Sequence, residues 1–276
     1  MRATLAPAAT VGSVLAAGGA DRNDLQVLLA HTIGVTRTKL LTNPQAPIDP
    51  AQLAGFERAH LRLQAGEPLP YLIGEWDFFG ASFAISPAVL IPRPETELLV
   101  EQALQLLQPG ARVADVGTGS GCIAVSLALH NRSITLTASD AAVAALQVAR
   151  ANAQRHAVST RIQFVHTHLL RALGEFDLIC ANLPYLTTQE VAELAVGRHE
   201  PRLALDGGAD GLQLIAELLA TAPAHLAAGG AICFEIGAAQ KAAVCGLAAA
   251  AFPAARVQVL ADLAGNDRLL VIQDSP

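Results

Sequence analysis

Val113-Ala114-Asp115-Val116-Gly117-Thr118-Gly119-Ser120-Gly121 runs from an apolar stretch into a glycine-rich turn, and Cys122–Leu129 continues it in a helical pattern. The order is strand, tight turn, helix. Glycines let the chain reverse sharply and let a ligand approach the backbone closely. In open α/β sheets, ligands bind at the carboxyl ends of strands, near the point where the strand order reverses. Asp140 closes the next apolar stretch. About twenty residues beyond such a loop, a carboxylate is placed to accept hydrogen bonds from ribose hydroxyls. Gly119-Ser120-Gly121-Cys122-Ile123-Ala124 also satisfies the dinucleotide pattern G-x-G-x-x-A, so the loop alone leaves the cofactor open.

Outward from this turn the pattern alternates. Arg112–Val116, Ile134–Ala138, Ile162–Val165, Leu178–Ala181 and Ala231–Ile236 read as strands, and Ala141–His156 and Leu212–Leu226 among the segments between them read as helices. Such alternation predicts an α/β fold with a mostly parallel sheet. Val257–Leu260 and Arg268–Gln273 flank Gly265-Asn266-Asp267 and predict a terminal hairpin, hence one reversed strand. The Ala-rich stretch Ala248–Ala255 reads as a helix that ends before Pro253.

The amino-terminal part differs. Asp24–His31 and Ala51–Gln64 have helical spacing, separated by the turn-rich Asn43–Pro50, and predict a small helical bundle over residues 1–70. Trp76–Ile85 predicts a β-hairpin within a linker, residues 71–92. The prolines of Ile91-Pro92-Arg93-Pro94 make that segment extended, and Glu95–Leu107 follows as a helix with an acidic first turn. The third domain is expected over 93–276.

Phe176–Ala181 is followed by Asn182-Leu183-Pro184-Tyr185, at the sheet edge that carries the glycine loop. A planar NH2 is a poor nucleophile because its lone pair is delocalised. The Asn182 side-chain carbonyl and the backbone carbonyl of Leu183 are suited to grip its two N–H groups. Pro184 biases Leu183 toward extended geometry, and the Tyr185 ring is suited to pack on a planar group. Catalysis would then rest on proximity and oriented dipoles.

Composition bounds the rest. The chain has 276 residues, is 52% apolar and carries a formal charge of −6. That charge argues against broad nucleic-acid binding, which needs clustered cations. Cys122, Cys180, Cys233 and Cys245 follow no zinc spacing and are expected as reduced core thiols. His166 and His168 are expected on one strand face, but no third ligand is near and no metal site is expected. No apolar stretch is long enough to span a bilayer and the start has no signal-peptide h-region, so a cytoplasmic protein without membrane contact is expected.

The glycine segment resembles the Asp-x-Gly-x-Gly-x-Gly loop of S-adenosylmethionine-dependent methyltransferases. The wider chain resembles the HemK/PrmC family of glutamine methyltransferases. The resemblance is carried by the amino-terminal helices, Gly74–Phe79, Leu90-Ile91-Pro92-Arg93-Pro94-Glu95-Thr96-Glu97, the glycine loop, Asp140 and Asn182–Tyr185. It also includes Glu200-Pro201 with the following Ala-Leu-Asp-Gly-Gly run, Phe234-Glu235-Ile236-Gly237 and Gly265-Asn266-Asp267-Arg268.

This resemblance implies a class I, Rossmann-like methyltransferase fold with a seven-stranded sheet. It implies S-adenosyl-L-methionine as methyl donor and S-adenosyl-L-homocysteine as product. Asp115, Gly117, Thr118, Gly119, Ser120, Gly121, Asp140, His168, Leu169 and Asn182 are the implied cofactor residues, with Asp115 near the ammonium group. The implied substrate is the Gln of the Gly-Gly-Gln loop of bacterial class I peptide chain release factors, docked with help from the amino-terminal bundle. Asn182, Leu183, Pro184 and Tyr185 would act on its side-chain amide.

Two positions depart from the family pattern. Leu183 stands where Pro is usual, and His168-Leu169 stands where an acidic residue and an aromatic one usually border the adenine. A ribosomal-protein glutamine methyltransferase is the nearest alternative substrate reading. Adenine-N6 methyltransferases use a similar Asn/Asp-Pro-Pro-Tyr element, but this chain has no basic recognition region.

Overall fold

The computed structural model describes residues 9–18 and 21–274. It divides into two compact units at Gly74/Glu75. The first unit is helical: α1 (Val11–Ala17), α2 (Arg22–Ile33), α3 (Arg37–Thr42), α4 (Pro50–Gln64) and α5 (Leu69–Ile73). Its starts are capped as the sequence allows. Thr10, Asp21, Thr36 and Asp49 each accept a backbone N–H of the first turn, satisfying donors that have no intrahelical partner. Gly34 ends α2 in the left-handed conformation. Leu25, Leu28, Leu29, Leu40 and Phe56 are buried.

The second unit opens with the antiparallel hairpin β1 (Glu75–Phe78) and β2 (Ala81–Ala84). There follow α6 (Glu97–Leu106), β3 (Arg112–Val116), α7 (Cys122–His130), β4 (Thr135–Asp140), α8 (Val143–Arg155), β5 (Ile162–His166) and β6 (Phe176–Ala181). The chain ends through α9 (Thr188–Glu193), α10 (Gln213–Thr221), β7 (Leu226–Glu235), α11 (Lys241–Ala251), β8 (Arg256–Ala261) and β9 (Asp267–Gln273). The seven-stranded sheet has the order β5-β4-β3-β6-β7-β9-β8. All neighbours are parallel except β9, which is antiparallel to both β7 and β8. This is the expected mostly parallel sheet with one reversed strand. The α1, α3, α5 and α9 helices, five to seven residues long, are too short to reveal a 3.6-residue period.

Strand alternation decides what each sheet face sees. Val116, Ile179, Ala181, Ile232 and Phe234 pack with Ile215, Leu218, Val244 and Ala248 of α10 and α11. The intervening residues Asp115, Cys180 and Cys233 lie in one register row across β3, β6 and β7. They face away from that cluster, as does Glu235 by the same alternation. Residues Cys122–Ala128 of α7 are buried without interruption, which explains why this helix reads as apolar all round rather than amphipathic. All four cysteines are free thiols. Burial pushes the Cys122 and Cys233 thiols up to about 12, so they are poor nucleophiles. Among the described residues, no helix is long and apolar enough to cross a membrane.

Candidate active site

The site lies at the carboxyl ends of β3 and β6, which are adjacent, with β4 on the far side of β3. β3 turns through Gly117, Gly119 and Gly121, all at positive φ, a conformation that side chains with a Cβ rarely adopt. Nothing lies within 4 Å of where a Gly119 Cβ would stand, so a ligand has room to approach that backbone. A Cβ on Gly121 would meet Ala149 Cβ at 3.0 Å, so this glycine serves the close packing of α8. A cavity is lined by Gly117, Thr118, Gly119, Ser120, Asp140, His168, Leu169, Asn182, Leu183 and Pro184. Its walls include Leu90 and Pro92 on one side and Pro201, Leu203 and Leu214 on others.

Asp115, Gly121 and Tyr185 are not among the residues lining the cavity. Asp115 is fully buried beneath the loop. Its Oδ2 accepts from Thr118 Oγ1 at 2.6 Å and from the Ala124 N–H at 3.1 Å, so it braces the turn. Its Oδ1 is buried with no hydrogen-bond partner. Desolvation pushes the Asp115 carboxyl from 3.8 to about 6, against the hydrogen bonds from Thr118 and Ala124. An orphaned buried carboxylate oxygen beneath the loop suits a cationic group bound nearby. Asp140 accepts the Gly119 N–H at 2.9 Å on one oxygen and the Ala142 N–H at 2.8 Å on the other. Each oxygen keeps a lone pair for a further donor.

After β6, the Asn182 Nδ2 donates to Thr96 Oγ1 and to Glu235 Oε2, each at 3.0 Å. Tyr185 donates its hydroxyl to Glu235 Oε1 at 3.2 Å. Burial and the adjoining Glu235 carboxylate push the Tyr185 phenol well up. Leu183 is buried and its side chain packs toward Gly117. The loop beyond Tyr185 is clamped from the other side. The Gln240 amide donates to the carbonyls of Tyr185 and Gly211 at 3.0 and 3.1 Å. A Cβ on Gly207 would stand 2.6 Å from the Pro184 carbonyl oxygen, and one on Gly211 would stand 2.3 Å from that of Tyr185.

The chain matches the PrmC N-terminal domain over residues 10–74 and the methyltransferase small domain over 94–199. It is 42% identical over 261 residues to the release factor glutamine methyltransferase of Cereibacter sphaeroides, covering 93% of each chain. It is 42% identical over 280 residues to that of Burkholderia pseudomallei, covering 97% of each. The chain belongs to the release factor glutamine methyltransferase family. A methyltransferase from Pyrococcus furiosus is similar in fold, with a TM-score of 0.54 at 16% identity over 83% of this chain and 100% of that one.

Thr167, His168 and Leu169 also line the cavity, just beyond the end of β5. β5 ends at His166, so His166 and His168 do not share a strand face as expected; the chain turns from His168 to Arg171. His166 Nε2 contacts the Ala141 carbonyl at 3.0 Å. His168 Nε2 lies 2.9 Å from Glu217 Oε2 on α10, so one ring nitrogen is already engaged. A carboxylate is therefore present behind the histidine, supplied by another element. Leu169 borders the cavity at positive φ, with its backbone carbonyl accepting from Ser139 Oγ at 3.3 Å.

Three polar residues at the site were missed as candidates: Thr96, Glu200 and Glu235. Each is buried. Glu200 accepts the Ile91 N–H at 3.0 Å and pairs with Arg93, which ties the cavity wall at Leu90–Pro92 to the one at Pro201. A charged residue inside an otherwise apolar strand, as in Phe234-Glu235-Ile236, was the available signal, because buried charges persist only where they are paired.

Proposed function

We propose that this chain transfers a methyl group to the side-chain amide nitrogen of the Gln in the Gly-Gly-Gln loop of bacterial class I peptide chain release factors. The donor is S-adenosyl-L-methionine and the products are the N5-methylated glutamine and S-adenosyl-L-homocysteine. The observation that carries this reading is the Asn182 amide beside the glycine loop. Both Nδ2 hydrogens are taken by Thr96 and Glu235, so the free end that Asn182 brings to the cavity is the acceptor Oδ1.

The cofactor supplies an electrophilic methyl on a sulfonium. Asp140 would take the ribose hydroxyls, the Gly117–Ser120 backbone would lie along the methionine portion, and Leu169 would pack against the adenine. Asp115 would favour the ammonium group through the loop it braces. Asn182 Oδ1 and the Leu183 carbonyl, which accepts no hydrogen bond from the described residues, would accept the two amide N–H groups. That grip turns the nitrogen lone pair toward the methyl, and Tyr185 would pack beside the amide plane. The nitrogen becomes acidic on methylation and loses its proton to water, so no strong base is needed. Rate enhancement comes from placement and oriented dipoles.

The amino-terminal helical domain, proposed over residues 1–70 and followed by the 71–92 linker, would help dock the release factor to the 93–276 catalytic domain. The setting would be the cytoplasm, without direct nucleic-acid or membrane contact. The test is incubation of the chain with cofactor and unmethylated release factor, read by mass spectrometry. The peptide bearing Gly-Gly-Gln gains one methylene. Transfer to a ribosomal protein or to DNA with an unmodified release factor would overturn the reading.

A further inference from the structure

The buried carboxylate beneath Asn182 has no assigned role. Glu235 is 2% exposed and is the last residue of β7. β6 and β7 pair with Ala181 opposite Phe234, so the register brings Asn182 and Glu235 side by side where the strands end. Three donors converge on Glu235: Thr96 Oγ1 at 2.6 Å and Asn182 Nδ2 at 3.0 Å on Oε2, and the Tyr185 hydroxyl at 3.2 Å on Oε1.

The direction of this network follows from its chemistry. A carboxylate only accepts. Thr96 must therefore spend its single proton on Glu235, and its lone pair then accepts from Asn182. Both neighbours of the inner end of the Asn182 amide are acceptors. The opposite amide orientation would set Oδ1 at 3.0 Å from a carboxylate oxygen, two acceptors in contact in a site with no water-like dielectric to separate them. The two orientations of an Asn amide are nearly equal in shape, so charge rather than packing selects between them. We propose that Glu235 is a positioning residue: together with Thr96 it locks the Asn182 amide with its carbonyl toward the substrate nitrogen, and holds the Tyr185 ring in place.

The activity part of the test rests on the glutamine-transfer reading. Glu235→Gln keeps the volume but introduces an NH2 group, which permits the flipped Asn182 amide. Expected is a fall in kcat of about a hundredfold, with the affinity for adenosylmethionine changed by less than about threefold. The decisive variant is Glu235→Gln combined with Asn182→Asp. There the new amide at position 235 donates to the inner oxygen of the new carboxylate at position 182, and the outer oxygen again faces the cavity as an acceptor. The double variant is expected to be at least about tenfold more active than Glu235→Gln alone, whereas a merely structural role predicts additive losses.

A Glu235→Gln enzyme within about threefold of wild type, or a double variant less active than that single one, overturns the proposal. Wild-type enzyme that leaves release factor unmodified would instead overturn the substrate reading. The orientation is then still read from the Asn182 side-chain NH2 resonances of the wild-type protein, which are expected to be protected from hydrogen exchange. Rapid exchange there overturns the proposal whatever the substrate is and whether or not the variants fold.

Discussion

Asp115→Asn separates what the glycine loop costs from what it does. The wild-type carboxyl is pushed from 3.8 to about 6, chiefly by desolvation. Below pH 3.8 it is protonated in both folded and unfolded chains and contributes no difference. Between the two values the unfolded chain is ionised while the folded one holds its proton, so stability falls as pH rises. Above about 6 the penalty is complete, roughly 3 kcal/mol. About 2 kcal/mol of it develops between about pH 4.5 and 8.

Asparagine does not titrate, so the stability of Asp115→Asn relative to wild type is expected to rise by about 2 kcal/mol over that interval. A constant offset is also expected. The new NH2 falls where Oδ1 has no partner, at a cost of about 1–3 kcal/mol. Urea unfolding followed by the fluorescence of the single tryptophan, Trp76 in β1 of the same unit, measures the difference at each pH. A difference that does not vary with pH would refute the reasoning. The same variant is expected to bind adenosylmethionine at least about tenfold more weakly by calorimetry, a trade of stability against function.

Asn152→Ala removes the hydrogen bonds to Ala84 N, Ala84 O and Ser120 O, which join the hairpin to the glycine loop; urea unfolding is expected to show a loss of about 3 kcal/mol or more. Gly121→Ala meets Ala149 and a positive φ at once, with an expected loss of about 2–3 kcal/mol in the same assay. Glu200→Gln releases Arg93 and weakens the hold on Ile91; calorimetry is expected to show cofactor affinity down about tenfold, while kcat at saturation changes little. Leu183→Pro keeps the backbone carbonyl and is expected to leave kcat within about threefold of wild type; a larger loss would show that the leucine side chain does more than pack.

Much of the sheet was legible because its strands are short, continuous apolar stretches closed by punctuation: Gly117 after β3, Asp140 at the end of β4, Asn182 after β6. Parallel strands buried on both faces produce that signal. The reversal of β9 was also legible, since Gly265-Asn266-Asp267 leaves room only for a tight return. The position of Asp115 was not. A D-x-G-x-G-x-G string gives the order of residues but not the face of the strand, and the register row with Cys180 and Cys233 places Asp115 beneath the loop rather than in the cavity. His168 was misplaced for a related reason. Two histidines two residues apart share a face only while the strand lasts, and β5 stops at His166. Its partner Glu217 comes from α10, a contact that spacing cannot reveal.

The two buried carboxylates hold the geometry on either side of Leu183 without any contact from its side chain. Asp115 and Glu235 end up on the same sheet face, near the carboxyl ends of β3 and β7, and neither lines the cavity. Desolvation raises the proton affinity of both, opposed by the donors each gathers. Asp115 gathers Thr118 and Ala124 and so shapes the glycine turn; Glu235 gathers Thr96, Asn182 and Tyr185 and so shapes the segment opposite. The cavity between them is bordered by the glycine turn and by Asn182, Leu183 and Pro184. On the proposed mechanism, position 183 contributes its backbone carbonyl, so its side chain is free to vary provided that it still fills the space against Gly117, as Leu183 does. The carboxylates beneath are not free in this way, because each has a set of donors that no neutral side chain would hold in the same direction.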